Sequence, residues 1–146
     1  MICVDSSVAV KWILEEEWTN QALALYFAAL RNDDSLIVPP MLPIEVTNVL
    51  RQRMRGPAGP TLAEATEQLE RLLDFGFTIL DFDGMHQRAL AIADAYNLPA
   101  AYDAHYLALS ERFGCELWTD DRRLLRQVGK EMAFVRWIGD YQLPAS

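Results

Sequence analysis

Met1-Ile2-Cys3-Val4-Asp5-Ser6-Ser7-Val8 opens the chain with an apolar run that stops at a carboxylate. Residues 1–5 read as a short buried strand, and a helix is expected to follow over 7–14. A carboxylate beside buried apolar surface is costly unless something compensates its charge. Three more acids sit in similar surroundings. Glu45 lies in Leu42-Pro43-Ile44-Glu45-Val46, Asp103 in Ala100-Ala101-Tyr102-Asp103-Ala104, and Asp121 closes Leu117-Trp118-Thr119-Asp120-Asp121. Four such sites point to one shared compensator, and the simplest is a divalent metal.

Outward from that opening, helical and strand patterns alternate. A helix over 19–31 leads to a strand at Leu36-Ile37-Val38, which Pro39-Pro40 stops. The next helix runs from about Pro43 to Arg55, with proline in the first turn, where its missing N–H costs little. Gly56-Pro57-Ala58-Gly59-Pro60 breaks it and is the one clear linker. Thr61 and Glu64 have capping-box spacing at the start of another helix. A strand at Phe77-Thr78-Ile79-Leu80 follows, then helices over 84–96 and 100–113, the second ending at Gly114. Cys115-Glu116-Leu117-Trp118-Thr119 is a fourth strand, a short helix starts at Asp121, and Ala133-Phe134-Val135 is a candidate fifth strand. This alternation predicts an α/β fold with a mostly parallel central sheet of four or five strands. Sites in such sheets gather at the carboxyl ends of strands. Asp5 and Asp121 both stand at strand ends, and Glu45 and Asp103 fall in first turns of helices, so one acidic pocket is compatible with the spacing.

Length and composition narrow the class. A chain of 146 residues is expected to form a single domain over 1–146. It can bury about 70% of its unfolded surface without a staple. A hydrophobic fraction of 51% excludes disorder. No apolar run approaches the roughly 20 residues of a membrane span. Nothing at the start resembles a signal peptide. Cys3 and Cys115 read as reduced core thiols, in keeping with a cytoplasmic protein. A net charge of -8 disfavours a nonspecific nucleic-acid binder, although a metal site itself contributes to the acidity. Arginines cluster at 51, 53 and 55 and again at 122, 123 and 126.

Each acid alone has a structural explanation. Asp5 suits a helix cap, and Asp120 suits the cap of the last helix, with Asp121 then in its first turn. Glu45 and Asp103 complement the positive ends of their helices. Together, in elements expected to share one edge, the functional reading moves ahead. Arg122 and Arg123, next to Asp121, are candidate substrate contacts. His86 and His105 read as surface or packing residues, the four tryptophans as core or subunit contacts, and Glu15-Glu16-Glu17 as solvated.

Four segments, in order, resemble the PIN-domain family, and within it the VapC-type toxin ribonucleases. Ile2-Cys3-Val4-Asp5-Ser6-Ser7-Val8 is similar to the family's first strand. Pro39 through Leu50 resembles its glutamate helix, Tyr102 through Ser110 its most recognisable segment, and Trp118-Thr119-Asp120-Asp121-Arg122-Arg123-Leu124 its Thr-x-Asp strand end. The resemblance implies a three-layer α/β/α domain with Mg²⁺ or Mn²⁺ held by Asp5, Glu45, Asp103 and Asp121, and supporting roles for Ser6 and Thr119. It implies hydrolysis of RNA to a 5′-phosphate and a 3′-hydroxyl, a cognate VapB-like antitoxin, and the cytoplasm as the place of action. A homodimer is expected as well. Asp120 departs from the family pattern, where a small residue is common. The alternative is a catalytically weak PIN module that binds RNA or a protein partner. A haloacid-dehalogenase-like phosphatase would want Asp-x-Asp, whereas this chain has Asp5-Ser6-Ser7. For a partner, the expected docking surface is the apolar segment from Trp12 through the helix at 19–31, edged by Arg51, Arg53 and Arg55.

Overall fold

The apolar opening pairs on both sides. β1 (Ile2–Val4) lies between β2 (Leu36–Val38) and β4 (Glu116–Thr119), parallel to both. The computed structural model describes residues 1–145. β3 (Thr78–Ile79) and β5 (Val135–Trp137) complete the sheet in the order β3-β2-β1-β4-β5, every pair parallel. Cys3, Val4, all of β2 and Leu117 to Thr119 are buried, as expected of strands covered on both faces. The edge strand β3 is only two residues long and exposed, which limits pairing with another chain.

Helices fill the connections. α1 (Ser6–Ala9) runs into a 3₁₀ turn at Val10–Trp12, and α2 (Thr19–Arg31) returns to β2. α3 (Leu42–Arg55) and α4 (Leu62–Leu73) form a packed pair before β3, and α5 (Met85–Ala95) and α6 (Tyr102–Phe113) another before β4. α7 (Arg122–Val128) leads to β5. The result is the three-layer α/β/α arrangement expected from the sequence, with α6 packed on β1 and β4. Tyr106, Leu107 and Leu109 bury that face of α6 completely or nearly so.

Local chemistry explains the boundaries. Thr61 and Glu64 form the reciprocal capping box at the start of α4. Gly114 ends α6 at φ 63, a left-handed conformation that suits glycine. In the α3–α4 connection a Cβ on Gly59 would sit 2.0 Å from the Arg53 carbonyl oxygen, so the chain folds back on α3 only without a side chain there.

Three boundaries differ from the sequence reading. The expected helix over 7–14 is one α-turn plus a 3₁₀ turn. The fifth strand sits two residues later than Ala133-Phe134-Val135, because its apolar residue Val135 starts the pairing with Leu117. Asp121, not Asp120, caps α7, accepting from the amides of Arg123 and Leu124 at 3.0 and 3.1 Å.

Candidate active site

The strand order creates the site. The chain steps from β1 outward to β2 and β3, then crosses back to place β4 on the other side of β1. The carboxyl ends of β1 and β4 therefore flank the point where the winding reverses, the place where open α/β sheets bind ligands. Asp5 follows β1 and Asp121 follows Thr119 at the end of β4.

Asp5 is buried, at 4% exposure. Its carboxylate accepts from the Ser7 hydroxyl at 2.5 Å, from the Thr119 hydroxyl, and from the Val8 amide at 3.3 Å. Asp5 is thus the cap of α1, a role that leaves its carboxylate at the carboxyl end of the sheet. Burial pushes its pKa up to about 7, against the pull of the Ser7 and Thr119 hydrogen bonds, and the charge of Asp103 adds to the rise.

Glu45, in the first turn of α3, accepts from the Tyr106 hydroxyl at 2.5 Å and from the Ser6 hydroxyl at 3.4 Å. Burial raises its pKa, opposed by Tyr106 and reinforced by Asp103. Asp103, in the first turn of α6, is raised by burial and then by the charge of Asp121, with Arg123 opposing. The mutual influence runs from Asp5 to Asp103, from Glu45 to Asp103, and from Asp103 to Asp121. Asp103 is the hub of the four.

Asp120 turns away. Its Oδ2 meets the Lys11 ammonium at 2.9 Å, and its Oδ1 accepts from the Trp137 indole N–H at 3.0 Å. Lys11 is 4% exposed and also pairs with Glu16 at 3.3 Å, while Arg53 forms an ion pair with the other oxygen of Glu16. Glu16 is half-buried in this chain of charges, not solvated as the run Glu15-Glu16-Glu17 suggested. Arg53 is accordingly committed. Trp12 and Leu25 are core, with Trp12 stacked on Phe75 at 5.1 Å between ring centroids. Of the expected docking surface, Phe27 and Leu30 are exposed, and Trp12, Leu23, Tyr26 and Phe27 line a cavity of about 500 Å³ with Arg71, Asp74 and Phe75.

The two arginines beside Asp121 part company. The Arg122 guanidinium lies 4.2 Å from the centre of the Trp137 ring, a cation–π contact that occupies it. Arg123 lines a cavity of about 440 Å³ together with Asp103 and Asp121. His86 Nδ1 and His105 Nε2 are 2.9 Å apart, and His105 Nδ1 meets the Ala101 carbonyl at 2.7 Å. Since a carbonyl only accepts, His105 donates from Nδ1, and in the neutral pair His86 donates to His105 Nε2. Ser7 and Tyr106, which orient Asp5 and Glu45, were invisible to sequence reasoning. A serine or tyrosine near a motif acid signals nothing until the strand order brings it alongside.

The donor set is all carboxylate and hydroxyl oxygen, the chemistry of a hard divalent cation. Shared elevation of three carboxylate pKa values is what such a cation would relieve. Among the described residues, no three His, Cys, Asp or Glu side chains stand close enough together to form a closed ion-binding cluster. The donors fit by type and by shared edge.

The family model for the PIN domain matches residues 2–131. No curated protein matches the chain.

Proposed function

This chain belongs to the PIN domain family, a family of nucleases, and from that premise we propose that it is a metal-dependent endoribonuclease. Its substrate is RNA, and its role is that of the toxin in a VapBC-type toxin–antitoxin pair acting in the cytoplasm. The observation that carries the reading is the Asp5 carboxylate, buried at the winding reversal and held there by the Ser7 and Thr119 hydroxyls. Asp5, Glu45, Asp103 and Asp121 would hold Mg²⁺ or Mn²⁺. When bound, such a cation acidifies water and offsets the negative charge that grows on the phosphate during hydrolysis.

The chain's own residues prepare that chemistry. Ser7 and Thr119 fix the Asp5 carboxylate from two sides, and Tyr106 with Ser6 fixes both oxygens of Glu45. These acids therefore need little reordering to act together. Arg123 lends positive charge at the mouth, where a polyanion would approach a protein of net charge -8. Arg122 is the weaker substrate contact of the two, being stacked on Trp137.

A second reading, a weakly catalytic PIN module that binds RNA or a protein, draws on the absence of a closed three-ligand cluster among the described residues. Turnover separates the two. Purified protein should cleave single-stranded RNA with Mg²⁺ or Mn²⁺ and stop in EDTA, and Asp103→Asn should cut the rate by about 10²-fold or more. Full activity in folded Asp103→Asn would remove the assignment.

The antitoxin reading rests on the same nuclease premise. An apolar groove of about 390 Å³ between α3 and α4, lined by Leu50, Met54, Leu62 and Leu69 and edged by Arg51, would suit a partner's amphipathic helix. A homodimer is compatible with it on another face. Arg51→Glu should weaken inhibition by the protein encoded next to this one while leaving cleavage unchanged. Unaltered inhibition would remove the groove as the docking site.

A further inference from the structure

The cavity beside Asp103 and Asp121 extends past the acids. Its far wall is α7 and its floor the turn between α5 and α6. At about 440 Å³ it lies within the roughly 300–1,000 Å³ range of small-molecule sites. Its lining carries both charges. Asp103 and Asp121 line it together with Arg123 and Arg126 of α7. The two arginines are three residues apart, so one helix face carries both. Neither forms a salt bridge among the described residues, whereas Arg53, Arg88 and Arg136 all do. Half-buried Leu98 and exposed Pro99 also line it. The Gln127 side-chain amide donates to the Asn97 carbonyl at 3.0 Å and ties α7 to that turn, so the walls are braced against each other.

We propose that this cavity holds one nucleotide of a single-stranded RNA next to the bond being cut, with Arg123 and Arg126 on its phosphate and Leu98–Pro99 against its base. The inference rests on the nuclease reading and adds a subsite to it. Guanidinium forks match phosphate oxygens, and a flat apolar edge suits the face of a base without selecting its identity. Duplex RNA would not present a base to this edge, because its bases are stacked inside the helix. The acids would recruit cation while the two arginines take the neighbouring phosphate. An acidic protein can thereby bind a polyanion at this one place.

The test needs neither metal nor cleavage. Metal-free, isotope-labelled protein is titrated with adenosine 5′-monophosphate and, separately, with inorganic phosphate, while amide NMR shifts are followed. The nucleotide should move amides at 97–99 and 123–127, and phosphate alone should move chiefly 123–127. Arg126→Glu should weaken nucleotide binding at least fivefold, while Arg55→Glu, an equal charge change at an exposed position on α3, should change it less than twofold. Shifts elsewhere, no shifts, or equal losses in the two variants would overturn the subsite. Loss of the subsite with intact RNA cleavage leaves the nuclease standing. Nucleotide binding here without cleavage would sink the nuclease and keep the subsite.

Discussion

Asp5 is a carboxylate whose folded-state pKa, about 7, lies above its ordinary value of 3.8. Below about pH 4 both folded and unfolded chains hold the proton there. Between about 4 and 7 the folded chain keeps the proton and the unfolded chain has lost it, so stability falls as pH rises. Above about 7 the full cost is present, up to about 4 kcal/mol. Glu45 and Asp103 are shifted in the same direction and add to the slope. Urea unfolding of metal-free protein at pH 5 and pH 8 should therefore show lower stability at pH 8, and the slope should flatten in Asp5→Asn. Greater stability of the wild type at pH 8 than at pH 5 would contradict the burial argument. The neighbours Asp120 and Asp121 should separate in a different assay. Asp120→Asn weakens the buried Lys11 contact and should cost about 2 kcal/mol, a discount on the 3–5 kcal/mol of a fully buried pair, with cleavage largely kept. Asp121→Asn should do the reverse: little change in melting temperature, and cleavage lost. The sequence reading chose Asp121 but could not say what Asp120 does instead, because that depends on Lys11, more than a hundred residues earlier, reaching Asp120 in the fold.

At the scale of elements, the strands that carry the site were legible because they are buried on both faces. β1, β2 and β4 write themselves as short apolar runs bounded by turn residues. The edges were not. β3 is exposed and two residues long, and β5 alternates, so neither leaves a continuous apolar mark that fixes its bounds. The α4 start was legible for another reason, since a capping box is a local code that needs no tertiary partner. Thr61→Ala should accordingly cost about 1 kcal/mol, and Thr61→Ser far less. Thermal unfolding of the two variants checks this, and equal losses would mean the cap is not what Thr61 contributes. The first helix was misjudged because Val10, Lys11 and Trp12 are all buried. Their burial continues the apolar pattern past α1, so nothing in the sequence marks where the α-turn gives way to the tighter 3₁₀ turn.

For the molecule as a whole, ligand binding to the folded state alone raises stability by mass action. Mg²⁺ or Mn²⁺ at about 100 times its dissociation constant should add about 2.7 kcal/mol. The rise in melting temperature should shrink in Asp5→Asn, and an identical rise in both proteins would place the ion elsewhere. The parallel order of the sheet also has a consequence in time. Thr119 meets Asp5 at a sequence separation of 114, and β4 enters the sheet only after three strands and six helices have been made. Contacts of such separation close late and slowly. During synthesis, a chain stopped between Glu45 and β4 has Asp5 and Glu45 but neither Thr119 nor Asp121. Such a fragment lacks one whole side of the candidate site, which comes together only once β4 and the residues after it have been made.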